Sequence, residues 1–414
     1  MELAQRAHQL VCTFLAAAPF FMTATLGVTL TGPLAGAQPV LDMNVSGEID
    51  WVAASASSDV PRSGPYGDAR FSLSGEHIRD DGVRIGLILG VRARNDSGRR
   101  GTARPAGDCP PGLDDCPVAG GLAPAGLFSG LHAASVMDAA GPRAGLETAS
   151  VYVRAHLWEA ELGYGAGAAV QEASALPGAM RLMRADGPLV DPSGRNFVST
   201  ANTLSGHAPK LTVRSRRLIG LRFAASYTPD GDVCLVTVCR LSPVPGALAA
   251  ASPEHVVEGA VSFEHRFAQS GTRWRAFVTA AHGSVTGEFA SDYRDPWVVS
   301  GGVQREQGAW AVGASALASN DGFAGARYRA QAVSASYERG DWLFSAELGQ
   351  AQSSLVHARS RSALIAASRY FETGVVLGFG WSHTEAVLPL PDGPVRARAR
   401  DAGSQVFLEA GLRF

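Results

Sequence analysis

The sequence predicts an all-β fold, a transmembrane antiparallel β-barrel of about sixteen strands. Three observations carry that prediction. Apolar and polar side chains alternate with the period of two that extended chain imposes, in stretches near the ~9–11 residues that cross a bilayer at the usual strand tilt. Short turns and longer loops alternate between those stretches, an asymmetry that membrane barrels show and soluble sandwiches have no reason to keep. Residues 38–414 contain no uninterrupted apolar run long enough for a spanning helix.

The pattern is cleanest in the last stretch. In Gly403–Phe414, Val406, Leu408, Ala410, Leu412 and Phe414 share one face, and Phe407, Glu409, Gly411 and Arg413 share the other. The chain stops on an aromatic ring with no polar tail. Such a ring needs an apolar seat or the interfacial girdle of a membrane.

Residues 1–37 read as a signal peptide. Arg6 supplies a positive start, Val11 to Ala37 carries no charge, and Ala35-Gly36-Ala37 is a small-x-small cleavage signature. The mature chain, residues 38–414, is expected to be one barrel domain.

The strands follow in order. Leu41, Met43, Val45, Ile49 and Trp51 alternate with Asp42, Asn44, Ser46, Glu48 and Asp50, with Gly47 the only gap. A loop from about Ala53 to Gly67 leads to Ala69, Phe71 and Leu73, opposed by Arg70, Ser72 and Ser74. Asp81-Gly82 makes a tight turn, because Asp-Gly accepts positive φ. Ile85, Leu87, Leu89 and Val91 then face away from Arg84, Arg92 and Arg94. Residues 95–143 form a long Gly/Pro/Ala-rich loop. Val151 and Val153 oppose Tyr152, Arg154 and His156; Trp158, Ala160 and Leu162 oppose Glu159 and Glu161. Residues 165–209 form a second long loop. Leu211 and Val213 then face outward, with Arg214 and Arg216 inward.

Hairpins fill the rest. Val257–Phe263 pairs with Trp274–Ala280, Trp297–Val303 with Trp310–Ala316, and Val333–Tyr337 with Phe344–Leu348. Leu364, Ala366, Ser368 and Tyr370 are expected on the outward face, opposite Val375, Leu377, Phe379 and Trp381. A last loop, His383 to Ala402, precedes the closing strand. Aromatics such as Trp158, Tyr227, Trp274, Trp297, Trp342 and Tyr370 gather near strand ends, as interfacial girdles require.

The balance of 36 basic and 38 acidic residues, net −2, argues against nucleic acid as a partner. Every basic residue except Lys210 is arginine, so a basic lining would ignore pH. Inward positions hold Glu, Asp, Arg, Ser, Asn and Gly. A barrel of about sixteen strands is wide enough for a water channel, and this lining suits one. Ile88, Leu317, Leu343 and Ile365 are apolar exceptions on the inward side.

The chain resembles the Gram-negative general porins, of alphaproteobacterial type. The resemblance rests on Leu162-Gly163-Tyr164-Gly165, on the run Gly220-Leu221-Arg222-Phe223 to Thr228-Pro229-Asp230, and on the closing strand. It covers essentially the whole mature chain. It implies an outer-membrane homotrimer for passive diffusion of ions and small hydrophilic solutes. It implies a C-terminal strand, with Leu412 and Phe414, read by the barrel-assembly machinery, and it implies that loop 165–209 folds inward.

A constriction with acids on one side and arginines on the other favours polar solutes. The loop offers Glu172, Asp186 and Asp191. The wall offers Arg70, Arg84, Arg92, Arg154, Arg214, Arg216 and Arg222. Arg181, Arg184 and Arg195 give the loop mixed sign, so ion preference stays open. In an oxidising compartment Cys109–Cys116 and Cys234–Cys239 are expected as local disulfides, with a four-thiolate metal site as the alternative. No cofactor and no resident metal are expected. His77, His156, His255 and His265 lie in or beside strands without a matching Ser or Asp motif, so no catalytic site is assigned. A non-conducting barrel acting as adhesin or scaffold is the alternative function.

Overall fold

A computed structural model describes residues 41–56, 66–95, 126–129, 143–231, 252–287, 290–355, 357–389 and 398–414. The signal-peptide reading of residues 1–37 and all four loop cysteines lie outside them.

Sixteen strands run in sequence: β1 (Leu41–Ala56), β2 (Tyr66–Ile78), β3 (Arg84–Asn95), β4 (Arg143–Arg154), β5 (Trp158–Ala166) and β6 (His207–Ser215). Then come β7 (Leu221–Asp230), β8 (Ser252–Arg266), β9 (Arg273–Thr286), β10 (Trp297–Gln307) and β11 (Trp310–Ser319). The last are β12 (Tyr328–Arg339), β13 (Trp342–Ser353), β14 (Ala358–Tyr370), β15 (Val375–Pro389) and β16 (Arg398–Arg413). One short helix, α1 (Ala168–Glu172), follows β5. Each strand pairs antiparallel with its sequence neighbours, and β1 pairs with β16 to close the ring. Closure satisfies every ladder without an edge, the condition for backbone in lipid.

The two faces separate as the alternation requires. Outward residues such as Val151, Val278, Leu348 and Leu408 stay exposed, and their inward neighbours are mostly polar. Removing a Val or Leu side chain from water is worth ~1.5–3 kcal/mol, so this many exposed ones need a hydrocarbon solvent.

The gap at Gly47 has a cause. Its N–H donates to the Phe414 carbonyl at 2.9 Å, and the Phe414 N–H donates to the Gly47 carbonyl at 3.0 Å. A Cβ at residue 47 would overlap the Phe414 ring. The tip of the terminal ring therefore packs directly over Gly47, while most of the ring stays exposed. Gly82 turns the second hairpin at φ 78°, a region side chains disfavour.

Two expectations are corrected. Strand pairing runs past the alternating segments, so the first loop shrinks to residues 57–65 and the last to 390–397. Above the lipid band both strand faces meet water, and the period-two signal fades there. The faces of β14 are also reversed. Ile365 is outward, 56 % exposed and opposite Trp381, whereas Leu364 is inward, 1 % exposed and opposite Ser382. Both faces of β14 are apolar because its inner side is covered by chain, not water.

Candidate functional site

The segment between β5 and β6 supplies that cover. Gly167 begins it against the inward Glu258 of β8, where any Cβ would overlap the carboxylate. The Ala169 N–H and the Ser226 hydroxyl donate to Glu258 Oε2 at 3.3 and 2.7 Å. Further on, Glu409 of β16 accepts the N–H groups of Arg181 and Leu182 at 2.8 and 3.0 Å. Glu347 of β13 accepts the Ala185 N–H and the Arg184 Nε, both at 3.0 Å. Three inward glutamates thus hold loop backbone that makes no ladder of its own. Buried main-chain donors need such acceptors.

The return of the segment is held by hydroxyls. Ser360 donates to the Arg195 carbonyl at 2.9 Å, Tyr328 to the Phe197 carbonyl at 2.7 Å, and Ser300 to the Thr200 carbonyl at 2.5 Å. Lys210, the single lysine, closes it: its Nζ donates to Ser205 Oγ at 2.9 Å and the Gly206 carbonyl at 2.8 Å. Apolar packing completes the seat. Leu182, Met183 and Val190 bury against Leu364, Phe407 and Val52. Phe197, Val198 and Leu204 bury with Leu317, Tyr328 and Ala330. The same cluster takes in Leu127 and Phe128 of the long loop; the Phe128 and Ser129 N–H groups donate to Asp321 Oδ1 at 2.8 and 2.7 Å. The inward exceptions Leu317 and Leu343 border these clusters.

The contacts of this segment run from β7 through β16 to β1, with Arg181 reaching Asp68 of β2. The arc from β2 to β6 carries charge instead. Arg92 grips Asp68 with two bonds of 2.6 and 2.8 Å and reaches Glu147 at 2.9 Å. Arg70 lies 3.2 Å from Glu147 and 3.7 Å from Asp68. Arg84 and Arg154 share Glu76 near the turn end, at 3.0 and 3.4 Å. Arg214 reaches Glu161 at 2.6 Å and Glu159 at 3.3 Å. Glu147 arrives by a register shift: Gly90 faces Thr148 and Val91 faces Leu146, which leaves Glu147 unpaired on β4.

The arginines of this arc stand in front of the acids. Arg70, Arg84 and Arg154 expose 36, 46 and 40 % of their side chains, against 1, 16 and 17 % for Asp68, Glu76 and Glu147.

The remaining sequence candidates fall elsewhere. Arg216 is exposed on the β6–β7 turn, where its Nη1 donates to the His156 carbonyl at 3.1 Å. Arg222 lies 3.5 Å from Glu172, which is buried and takes the Ser262 hydroxyl at 2.5 Å. Asp186 accepts the Thr200 N–H and hydroxyl at 2.8 and 2.5 Å. Asp191 accepts the Ser193 hydroxyl at 2.6 Å and the Asn196 N–H at 2.7 Å. Burial pushes the Asp191 carboxyl above its ordinary value, against the pull of those bonds. All three loop acids serve the loop's own seating. The loop's outward reach is basic: Arg181 bridges to Glu48, Asp50 and Asp68, and Arg195 to Asp401.

Among the described residues no group of three or more His, Cys, Asp or Glu is placed to hold a metal. Sequence reasoning missed Glu258, Glu347, Glu409 and Glu147. The available signal was an inward-phase Glu among Ser, Gly and Ala, and in Glu147 a residue out of phase.

Comparison with known proteins agrees with this architecture. The family model for Gram-negative porins matches residues 16–379. No curated protein sequence matches. Among solved structures the chain is similar to OmpT of Vibrio cholerae in its trimer form, with TM-score 0.53 and 9 % identity over 90 % of this chain and 99 % of that one. It is similar to the channel DcaP of Acinetobacter baumannii, with TM-score 0.51 and 13 % identity over 92 % and 100 %. A further porin structure gives TM-score 0.50 and 11 % identity over 90 % and 100 %. At these identities the structures speak to the fold, and the family match speaks to membership: this chain belongs to the Gram-negative porin family, a channel-type barrel of the outer membrane.

Proposed function

We propose that the protein is a passive diffusion channel for ions and small hydrophilic solutes, narrowed between loop 165–209 and the β2–β6 arc. The observation that carries this reading is the asymmetry of the lining. Loop chain rests on the β7–β1 side, and the arc opposite presents arginine heads to water. Such an arc favours anions in transit, because the acids behind it are shielded while the guanidinium groups are not. Arginine also keeps that preference constant with pH.

Planar-bilayer recording of purified protein tests the reading. Stable ohmic steps with a reversal potential displaced toward the anion support it. Silence at high protein concentration supports the non-conducting adhesin or scaffold instead.

A homotrimer is part of the same proposal, and light scattering of the detergent complex measures it. Signal removal after Ala37 and the pairs Cys109–Cys116 and Cys234–Cys239 belong to it too. The intact mass of protein recovered from membranes, before and after reduction and alkylation, tests both. An unprocessed N-terminus or four free thiols would overturn them.

A further inference from the structure

At the turn end the seam between β1 and β16 is unlike the others. Seven seams join one hairpin to the next, and in each the strand ends are paired to within two residues. β1 instead overruns its partner. Its pairing with β2 begins at Leu41, whereas its pairing with β16 begins at Gly47, because the chain ends at Phe414. The six residues 41–46 project past the closed ring, with β2 on one side only.

Alternation fixes which backbone groups are free. Gly47 exchanges both of its bonds with Phe414, so Val45, Met43 and Leu41 aim their N–H and C=O groups the same way. Among the described residues no strand receives them. Asp42, Asn44 and Ser46 aim the other way, at Glu76, Ser74 and Ser72 of β2. Side chains from Asp42 to Ser46 are exposed on both faces, Met43 by 56 % and Val45 by 51 %. Hydrocarbon does not tolerate an open row of amides, so the projection lies beyond the lipid core, on the periplasmic side where short turns sit.

We infer that this edge is a docking site for an extended segment of a periplasmic protein, which adds as a strand and continues β16 beyond Phe414. Strand addition draws affinity from main-chain bonds and choice of partner from alternate side chains. The flanking side chains describe the segment. Met43 and Val45 call for apolar residues on the outward face. On the bore face Asp42 stands opposite Glu76, and the terminal carboxylate heads the notch, so basic residues fit there. A second copy of the chain does not fit. Antiparallel pairing of two such edges would turn one barrel over in the membrane, and strands tilted ~35–45° would cross instead of pairing parallel. The inference draws on the seam alone, so it stands or falls apart from the conduction reading.

The test uses the full-length mature protein in neutral detergent, with a fluorescent peptide, Lys-Val-Lys-Val-Lys-Val, as probe. The control is the same peptide with every backbone nitrogen methylated, which keeps the charge and loses the donors. Binding of the probe is expected, with slowed hydrogen exchange in the fragment spanning residues 41–47. The control is expected to give neither. Met43→Pro with Val45→Pro removes two donors that face the free edge and none that face β2. It is expected to weaken the probe at least about tenfold, from the loss of two backbone bonds. Slow gel migration before boiling reports a folded barrel. Should the double variant not fold, Val45→Pro alone gives the same reading with a smaller loss. No protection of residues 41–47 by the probe would overturn the inference. So would equal binding of the methylated peptide, unchanged binding in the folded proline variant, or a disulfide between copies through Met43→Cys in a background with the four loop cysteines changed to serine.

Discussion

The inner wall has two kinds of arc. From β2 to β6 it is built of ion pairs, with Arg70, Arg92, Arg154 and Arg214 against Asp68, Glu76, Glu147 and Glu161. From β10 to β14, above the turn-end pair of Glu306 with Arg275, it is mostly small or neutral residues such as Ser300, Ser315, Ala330, Ser345 and Ser362, all buried under loop chain. Both arcs satisfy the same alternation of polar and apolar. They differ in what covers them. Charge remains where water can reach it; where chain covers the wall, hydroxyls and a few glutamates are kept as hydrogen-bond partners. Inward polarity is therefore two signals, one for solvent and one for a seated loop.

The largest effect should come from uncoupling the loop. Glu347→Ala with Glu409→Ala removes acceptors from several buried N–H groups, at ~1–3 kcal/mol each. We expect a larger, noisier single-channel conductance from a barrel that still migrates as folded. Unchanged conductance would mean the loop needs no such clamp.

Next comes the charged arc. Arg70→Gln with Arg84→Gln and Arg154→Gln should move the reversal potential toward cations at low salt. The shift should shrink at 1 M salt, where the screening length falls to ~3 Å. In the wild type, ion preference should stay level across neutral and alkaline pH, because arginine does not titrate there.

A smaller change is expected from Lys210→Met, which leaves Ser205 and the Gly206 carbonyl without their donor. Limited proteolysis should cut the loop near residue 205 faster, while ion preference stays as in wild type.

The smallest effect is expected from Asp191→Asn. Its folded value is raised, so the stability it lends is complete below the ordinary aspartate range and is lost as pH rises through the folded value. Asparagine removes the buried charge but puts an NH2 where an oxygen accepts from Ser193 or Asn196, and the two effects oppose. Thermal unfolding at neutral pH should therefore change little; a wild-type stability that rises with pH through this group's titration would contradict the direction of the shift.

Much of the barrel was legible because lipid and water impose opposite demands on neighbouring residues. Strand count, hairpin turns and most faces follow from that alone, as Leu348 and Val278 illustrate. The pattern misled where the contrast vanished. On β14, Leu364 and Ile365 are both apolar because one meets lipid and the other loop, so the phase came out reversed. Beyond Trp381, water on both sides erased the signal, and β15 proved longer than its alternation.

The site was legible in part. Arg70, Arg92, Arg154 and Arg214 do share the uncovered arc. Of the loop acids, Glu172 meets the wall at Arg222, whereas Asp186 and Asp191 turn to the Thr200 and Asn196 backbone, partners close in sequence that composition could not reveal. Glu409 read as one more polar inward residue, because nothing local announces a partner 228 positions away.

The claim that matters most is which arc faces the open bore. Single cysteines at Arg70 or Arg154, and at Ser345 or Ser362, in a background with the four loop cysteines changed to serine, test it directly. A small charged thiol reagent is added during single-channel recording. Stepwise loss of current is predicted for the first two positions and none for the last two. Block at 345 or 362 with silence at 70 and 154 would contradict the account.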